Sequence, residues 1–323
     1  MLPDVLRLEP LLVERPWGGR RLARLGKAVP AGALVGESWE VADLAPTADE
    51  DARCTRVTGG PADGSTLTDL IERHGAELLG SAGPTYDGRF PLLVKFLDAA
   101  EHLSVQVHPP EAIADVDAAV RAKTESWYVM DADPGSALWF DIRTDVDDAA
   151  FAGAAGTSSV VPMLGVVPAR VGDFHHIPAG RVHALGAGVM VLEIQTPSDT
   201  TFRLYDWTDE YSRTPRSLHV REALRSVVRG DPAAISVAGS SAAGARELVR
   251  TPAYWIREHR AGEVPIALDP RPELRVVAVV AGEVSIEGER LGVGAVRVLP
   301  AGSRAFGVID HADDAVVIES GVA

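Results

Sequence analysis

GDFHHIPAGRVH, residues 172–183, has the same spacing of Gly, Pro and Gly as GAVRVLPAGSRA, residues 294–305. Three matched positions are each 122 residues apart, namely Gly172 and Gly294, Pro178 and Pro300, and Gly180 and Gly302. Two similar β-turns would be the simplest explanation, but the matched flanks favour a duplicated β module. The last position differs, because His183 in the first copy corresponds to Ala305 in the second. We therefore expect a functional site in the first copy and a scaffold in the second.

Short apolar runs between glycines and prolines make up most of the chain. The clearest predicted strands are FPLLVKFLD (90–98), VVPMLGVV (160–167), VMVLEIQT (189–196) and LRVVAVVAGEVSI (274–286). Helical periodicity is limited to residues 65–79, 110–122 and 217–229. This pattern predicts a mainly β fold, a sandwich or barrel with a few inserted helices.

Composition excludes several classes of protein. A net charge of −15 with 46 acidic residues argues against nucleic-acid binding. No apolar stretch approaches the roughly 18 residues of a membrane span, and Asp4 stands where a signal peptide would have a basic start. The single cysteine, Cys54, excludes an internal disulfide and is typical of a reducing compartment. We expect a cytoplasmic monomer that acts on a small molecule.

The stretch LSVQVHPP, residues 103–110, places polar side chains at every second position of a predicted strand. Successive side chains of a strand point to opposite faces, so Ser104, Gln106 and His108 share one face. Gln106 and His108 lie about 6.6 Å apart along such a strand, at roughly 3.3 Å per residue. This distance allows both to contact one ion.

Lysine is rare in this chain. Of 31 basic residues only Lys27, Lys95 and Lys123 are lysines, and the last two lie on either side of LSVQVHPP. Plain surface placement would account for this, but an ammonium group can give up a proton, which a guanidinium does not do. Lys95 and Lys123 are therefore candidates for a chemical role.

Several motifs resemble a known family. The spacing Gly-x5-Pro-x-Gly-x2-His is similar to the second conserved motif of the cupins, β-barrels that bind a metal at the barrel mouth. The chain also resembles the short bacterial form of the type I phosphomannose isomerases, in PWGG (16–19), GESWEVAD (36–43), PLLVKFLDAAEHLSVQVHP (91–109), KTESWYV (123–129) and IPAGRVHALGAGVMVLEIQTPSDTTFRLYDW (177–207). The resemblance implies two cupin-like (jelly-roll) modules, a catalytic one over 1–230 and a metal-free one over 231–323.

The resemblance also implies a metal site. In the family the residues at Gln106, His108, Glu125 and His183 bind one zinc ion, and all four are present here. Imidazole and carboxylate suit Zn²⁺, although Mn²⁺, Co²⁺ or Fe²⁺ would fit the same residue types. The implied reaction interconverts D-mannose 6-phosphate and D-fructose 6-phosphate through an enediol or enediolate.

Such an isomerisation needs a group that moves a proton between C1 and C2. Lys123, Glu193 and His108 are all candidates for this base, and the residues do not decide between them. A lysine desolvated beside a metal is expected to have a lowered pKa. Glu193 lies in an apolar strand, where a carboxylate without a partner is costly.

Cationic donors are needed for the phosphate and for the developing oxyanion. Arg203 matches the arginine at the family's active centre, so the resemblance implies a catalytic role. Lys95 and Lys123 are expected to contact substrate, and Ser104 resembles a substrate-contacting serine.

Structural alternatives exist for most of these side chains. Glu125 would pair with Arg121 on a helix, and Arg203 with Asp199 or Asp206. Core packing is our interpretation of three tryptophans, Trp17, Trp39 and Trp127, and we assign no role to His175 and His176. Two other functions remain open: a metal-dependent isomerase or epimerase of another sugar, and a non-catalytic sugar-binding cupin.

Overall fold

The structure is a computed structural model that describes residues 2–46, 51–85, 87–114, 120–214, 216–230, 236–262, 266–268, 270–303, 307–309 and 314–323. Strands dominate these ranges, which confirms the prediction of a mainly β fold. None of the helices described there has the length and hydrophobicity needed to cross a bilayer.

Residues before position 206 contribute the first set of strands. These are β1 (Leu8–Glu9), β2 (Leu11–Gly19), β3 (Val35–Val41), β4 (Asp43–Leu44), β5 (Arg53–Cys54), β6 (Arg56–Val57), β7 (Leu93–Ala99), β8 (Val105–Val107), β9 (Glu125–Ala132), β10 (Ala137–Ile142), β11 (Leu164–Pro168), β12 (Phe174–Ile177), β13 (His183–Leu185), β14 (Val189–Gln195) and β15 (Phe202–Tyr205).

The remaining strands and the helices complete the chain. The strands are β16 (Ser236–Val237), β17 (Gly244–Arg250), β18 (Tyr254–Arg260), β19 (Ile266–Ala267), β20 (Arg275–Ala281), β21 (Glu283–Ile286), β22 (Glu289–Gly292), β23 (Val296–Leu299), β24 (Gly307–Ile309) and β25 (Val316–Val322). The α-helices are α1 (Leu67–Leu79), α2 (Glu111–Ala114), α3 (Asp148–Ala154) and α4 (Val220–Ser226), and 3₁₀ turns cover Arg21–Leu25, Gly60–Ala62 and Ser158–Met163.

Four larger sheets are stacked in layers. A seven-stranded sheet, β16-β12-β9-β14-β7-β2-β3, faces a five-stranded sheet, β11-β10-β13-β8-β15. Trp127 of the first and Phe140 of the second belong to the cluster buried between them. A five-stranded sheet, β17-β18-β25-β20-β23, likewise faces a four-stranded sheet, β19-β24-β21-β22, with Val277 and Ile286 between them. Each pair of sheets encloses its own core.

A further apolar cluster joins the two pairs of sheets. It combines Phe96 and Leu192 on the outer face of the seven-stranded sheet with Ile256 and Val276 of the second pair. Lys27 also links them, because its Nζ lies 2.7 Å from Glu40 Oε2 and 2.9 Å from the carbonyl oxygen of Gly294. The proposed division between residues 230 and 231 stays a prediction, because this cluster packs the two pairs of sheets against each other.

Strand register repeats between the two pairs of sheets. Glu125 lies opposite Ile177 and Gln195, and Arg275 lies opposite Leu299 and Gly321. Ile177 and Leu299 are again 122 residues apart. β9, β12 and β14 thus correspond to β20, β23 and β25, and the repeat seen in the sequence is part of this correspondence.

The matched glycines have matched conformations. Gly172 and Gly294 both have φ of 89°, in the left-handed region that favours glycine. The Gly172 N–H donates to the carbonyl of Val129, and the Gly294 N–H donates to that of Val279, both at 2.9 Å. Each glycine therefore forms the same turn and donates to the corresponding strand of its own pair of sheets. Ala305, the counterpart of His183, lies outside the described residues.

Helix predictions are confirmed in part. α1 lies within the predicted range and begins at a capping box in which Thr66 and Asp69 exchange hydrogen bonds. α2 covers Glu111–Ala114 of the range 110–122, of which 115–119 are not described, and α4 covers the middle of 217–229. α3 was not predicted, although its N-cap Asp147 accepts a hydrogen bond from the Ala150 N–H.

The strand predicted over residues 160–167 is wrong in its first half. The first residues of VVPMLGVV form a 3₁₀ turn, Ser158–Met163, and only β11 is extended. Pro162 lies inside the turn, and proline lacks the N–H that a strand ladder needs. An apolar run by itself does not separate the two conformations.

Candidate metal centre and active site

Three buried ligating side chains meet between the two sheets of the first pair. Glu125 begins β9 in the seven-stranded sheet, His183 begins β13, and His108 follows β8 in the facing sheet. Nε2 of His108 lies 3.2 Å from Glu125 Oε2, and Nε2 of His183 lies 3.1 Å from Glu125 Oε1. Their ligand atoms all fall within 4.8 Å of one another.

Both imidazoles are oriented by backbone carbonyls. Nδ1 of His108 lies 2.9 Å from the Thr200 carbonyl oxygen, and Nδ1 of His183 lies 2.9 Å from that of Arg181. A carbonyl only accepts, so each Nδ1 carries the proton and each Nε2 presents a lone pair to Glu125. Metal-binding histidines in proteins are typically oriented in this way.

Gln106 and Ser104 adjoin this cluster. Gln106 lies opposite His183 in the strand ladder, and its Nε2 is 3.1 Å from His183 Nε2. The Ser104 hydroxyl donates to Gln106 Oε1 at 3.1 Å. Rotating the Gln106 amide by 180° would exchange the positions of Oε1 and Nε2. Oε1 would then face the histidines as a ligand. Ser104 therefore contacts Gln106 here, which is a positioning contact that the sequence did not predict.

The residues fit a divalent metal ion. Among the described residues, His108 Nε2 and both Glu125 oxygens are buried without a hydrogen bond of acceptable geometry, although Lys123 Nζ lies 2.8 Å from Glu125 Oε2. A buried carboxylate in this state is costly unless something neutralises it. Imidazole nitrogen and carboxylate oxygen together suit Zn²⁺ and related ions. The alternative pairing of Glu125 with Arg121 on a helix is wrong, because Glu125 lies on a strand and faces the two histidines.

Charge states in the cluster favour metal binding. Burial, helped by the charge of Lys123, lowers the pKa of His108 to about 3, so its imidazole is neutral at pH 7. Burial alone would raise the pKa of Glu125, but Lys123 and the histidines hold it well below its ordinary value. A neutral imidazole and an ionised carboxylate are the ligand forms that metal binding requires.

Lys123 departs from its expected pKa. Burial acts to lower the pKa of this ammonium, but the charges of Glu125 and Glu193 outweigh it and the pKa is raised. The expectation considered desolvation beside a metal and left out the carboxylates of β9 and β14, which raise the pKa among the protein's own charges. In this arrangement Lys123 is a fixed positive charge.

A second set of charges is buried on the inner face of the seven-stranded sheet. Lys95 Nζ lies 3.2 Å from Glu193 Oε2 and 3.7 Å from Glu37 Oε2. The indole N–H of Trp127 donates to Glu193 at 3.0 Å, and that of Trp39 donates to Glu37 at 2.6 Å. Burial raises the pKa of Glu193 even though Lys123 and Lys95 oppose it. Both tryptophans are thus buried as predicted, and they also orient carboxylates.

Arg203 lies beside the cluster on the facing sheet. It is opposite Gln106 in the ladder between β15 and β8, and its Nε is buried without a hydrogen-bond partner among the described residues. Asp199 pairs instead with Arg53, and Asp206 with Arg216. The alternative salt bridges are therefore not formed, and Arg203 remains able to bind an anionic group.

Some contributors were missed by the sequence reasoning. Glu37 was quoted only inside GESWEVAD, yet it is buried and pairs with Lys95 and with Arg15, whose Nε is 2.6 Å away. A carboxylate two residues before Trp39 in a buried strand was the available signal. His175, to which no role was assigned, packs its ring 5.0 Å from that of Phe140.

Glu37→Gln is expected to destabilise the protein in a pH-dependent way. Burial raises the pKa of Glu37, but Lys95 and Arg15 lower it from 4.5 to about 2. Because the folded-state pKa is the lower one, its contribution is complete above about pH 4.5 and is lost as the pH falls through about 2. Urea unfolding should show a loss of about 3 kcal/mol at pH 7. A loss that stays constant from pH 7 to pH 3 would contradict this prediction.

Comparisons with known proteins identify relatives of this chain. A family profile described as "Phosphomannose isomerase type I, catalytic domain" matches residues 5–136. The chain is 32% identical over 288 residues to the mannose-6-phosphate isomerase of Streptococcus mutans, covering 87% of this chain and 86% of that protein. It is 33% identical over 229 residues to mannose-6-phosphate isomerase ManA of Bacillus subtilis, covering 70% and 69%.

Solved structures give the same result for the fold. The crystal structure of the mannose 6-phosphate isomerase from Bacillus subtilis aligns with a TM-score of 0.77 and 25% identity, over 98% of this chain and 99% of that one. The apo form of mannose 6-phosphate isomerase from Salmonella typhimurium, at 16% identity, aligns with a TM-score of 0.75. The similarity extends over both pairs of sheets.

Proposed function

This chain belongs to the type I phosphomannose isomerases, and from that premise we propose that it interconverts D-mannose 6-phosphate and D-fructose 6-phosphate. The observation that carries the proposal is the buried His108, Glu125 and His183 cluster, with charged groups on both adjoining sheets. A site that only held a neutral sugar would not need buried carboxylates and lysines in contact.

We propose that Gln106 joins these three side chains in holding Zn²⁺. When bound, a divalent ion supplies a Lewis acid for the carbonyl and hydroxyl oxygens of the sugar. Nδ1 donation to the Thr200 and Arg181 carbonyls keeps the imidazoles oriented toward it, and Ser104 holds the Gln106 side chain. The protein thus provides an oriented set of nitrogen and oxygen donors.

Glu193 is the group that we propose moves the proton. His108 is committed to the metal through Nε2, and Lys123 is held protonated by carboxylates. Glu193 has a raised pKa, as suits a carboxylate base working near neutral pH. Its carboxylate takes the proton from C2 of the aldose, which leaves an enediolate and a protonated Glu193, and Glu193 then returns the proton to C1 while a proton passes from O2 to O1. Atoms and charge balance without a co-reactant.

Three cations are proposed to bind the anionic parts of the substrate. Lys123 and Lys95 are buried in the first pair of sheets, and Arg203 lies beside Gln106 on the facing strand. Fixed positive donors of this kind stabilise both a phosphate and a developing oxyanion. Lys95 in addition lies 3.2 Å from Glu193, so it helps to keep that carboxylate ionised.

We further propose that the chain acts as a cytoplasmic monomer whose catalytic module ends near residue 230. The support is the single cysteine Cys54, which precludes an internal disulfide, and the placement of every proposed site residue before position 204. Size-exclusion chromatography with light scattering gives the oligomeric state directly. A stable dimer would overturn that part of the proposal.

Removing the metal should abolish turnover of mannose 6-phosphate. Purified protein is stripped with a chelator and assayed by coupling fructose 6-phosphate formation to a dehydrogenase, before and after Zn²⁺, Mn²⁺ or Co²⁺ is restored. We expect activity to fall at least about 10³-fold and to return with the metal. Full activity of the stripped protein would overturn the proposed metal dependence. A zinc-loaded protein that is inactive would overturn the assignment of mannose 6-phosphate as the substrate.

A further inference from the structure

Arginine occupies the place of a metal ligand in the second pair of sheets. The Gly180 N–H donates to the carbonyl of His108 at 2.8 Å, and the Gly302 N–H donates to the carbonyl of Arg271 at 2.8 Å. Because Gly180 and Gly302 are matched positions of the repeat, Arg271 has the backbone position of His108.

A second ligand position is changed in the same way. Glu125 lies opposite Ile177 in the first pair of sheets, and Arg275 lies opposite Leu299 in the second. Ile177 and Leu299 are matched by the repeat, so Arg275 has the position of Glu125. A neutral imidazole and a carboxylate are thus both replaced by guanidinium groups. This module has lost groups that bind a cation and gained groups that bind an anion.

A neighbouring position keeps an acidic and a basic residue opposite each other in the strand register. Glu193 lies opposite Lys95 between β14 and β7, and Glu319 lies opposite Arg257 between β25 and β18. Acid and base are therefore retained at this position, with arginine in place of lysine. The second module thus has the same strand register at these positions, with guanidinium groups at two of the proposed ligand positions.

Three guanidinium groups converge on one indole ring. The guanidinium carbons of Arg271, Arg257 and Arg250 lie 4.9, 5.3 and 6.0 Å from the centre of the Trp255 ring. Within the described part of the chain, one carboxylate pairs with this group, that of Glu247, whose Oε2 is 2.7 Å from Arg250 and 3.8 Å from Arg257. This group, called here the arginine cluster, has an excess of two positive charges.

The inner layer does not neutralise that excess. Glu319 pairs with Arg275 at 3.0 Å and with His259 at 2.8 Å, so its charge is already committed. The side chains of Arg250 and Arg257 are 49% and 29% exposed, which leaves the cluster open to a ligand from solvent. Like charges held together at this spacing are stabilised by a bound anion.

We propose that the arginine cluster of the second module binds a phosphate dianion, either free phosphate or the phosphoryl group of a sugar phosphate. A dianion matches the excess of two charges, and guanidinium groups bind phosphate oxygens in bidentate pairs. In a chain of net charge −15, such a local positive site attracts anions against the overall field. The site is separate from the catalytic centre, which lies between the sheets of the first pair.

The indole N–H signal of Trp255 tests this directly. Full-length, metal-loaded protein with ¹⁵N-labelled tryptophan is titrated with inorganic phosphate at constant ionic strength, and Trp255→Phe identifies the signal. We expect a saturable shift, weakened at least about tenfold in the double variant Arg257→Gln and Arg271→Gln. Isomerase activity of that double variant should stay near the wild-type value.

Arg290→Gln provides the matched control. Arg290 is an exposed arginine of the same module that pairs with Glu283 at 2.9 Å, and its loss should leave the Trp255 titration unchanged. Absence of a saturable shift in the wild type, or equal titrations for the double variant and the wild type, would overturn the proposal. Should the double variant not fold, Arg250→Gln, at a half-exposed position, takes its place.

A second titration distinguishes the two sources of phosphate. The equilibrium mixture of mannose and fructose 6-phosphates is added in place of inorganic phosphate. Saturation at a lower concentration identifies the sugar phosphate as the ligand, and saturation at a higher concentration identifies free phosphate. No response of Trp255 to either compound contradicts the proposal while leaving the proposed isomerase activity untouched.

Discussion

Glu125→Gln is expected to lower kcat/KM for mannose 6-phosphate at least about 10³-fold and to release the metal. Both carboxylate oxygens face an imidazole, at 3.1 and 3.2 Å, and the side chain is fully buried. Glutamine fills the same volume but carries no charge, so Lys123 would also lose its partner at 2.8 Å. Metal content per chain and the coupled assay together measure the effect.

Glu283→Gln is the control for that experiment. Glu283 is a partly exposed carboxylate of the second pair of sheets that pairs with Arg290, and its loss should change neither metal content nor rate. A Glu125→Gln protein that keeps one metal per chain and more than about a tenth of the activity would show that the cluster is not the metal centre.

Glu193→Gln is expected to lower kcat by about 10² to 10⁴-fold, the usual contribution of a general base. Metal content should be unchanged, because Glu193 is not part of the ligand cluster. A base acts in its ionised form, so the wild-type rate should rise with pH as Glu193 loses its proton. Since burial raises the pKa of Glu193, that rise lies above pH 4.5, and it should be absent from the variant.

Trp127→Phe separates a catalytic Glu193 from a structural one. It removes the indole donor 3.0 Å from Glu193 and leaves the carboxylate in place. If Glu193 is the base, Trp127→Phe should cost much less activity than Glu193→Gln and keep the pH-dependent rise. Equal losses in the two variants, with an unchanged pH profile in each, would assign Glu193 a packing role.

Part of the candidate metal centre was predictable from local sequence. The alternation in LSVQVHPP placed Gln106 and His108 on one face of a strand, and the structure brings both to His183. α1 was equally predictable, because its capping box and apolar spacing lie within one continuous segment. Features set by residues that lie close together in the sequence could therefore be predicted from the sequence alone.

Charge states were not predictable in this way. The pKa of Lys123 was expected to be lowered and is raised, because Glu125 and Glu193 approach it from two different strands. The contact between the Ser104 hydroxyl and Gln106 was not predicted either, and the expected substrate contact of Ser104 stays a prediction. Each outcome depends on distances between side chains that no spacing in the sequence reveals.

The duplication was likewise only partly detectable from the sequence. A search at constant spacing finds the glycine–proline turn, because its two copies lie 122 residues apart along matched strands. It does not align Arg275 with Glu125, which are 150 residues apart, or Arg271 with His108, which are 163 apart. Loops of different length between the strands change the spacing from one strand to the next. Residue types and local periodicity thus predicted the β-rich fold and one face of the candidate metal site, and the family resemblance supplied the rest of the proposed ligand set. Aligning the arginines with those positions required strand pairing and turn hydrogen bonds as well as the sequence repeat, because register is set by hydrogen bonds between distant segments.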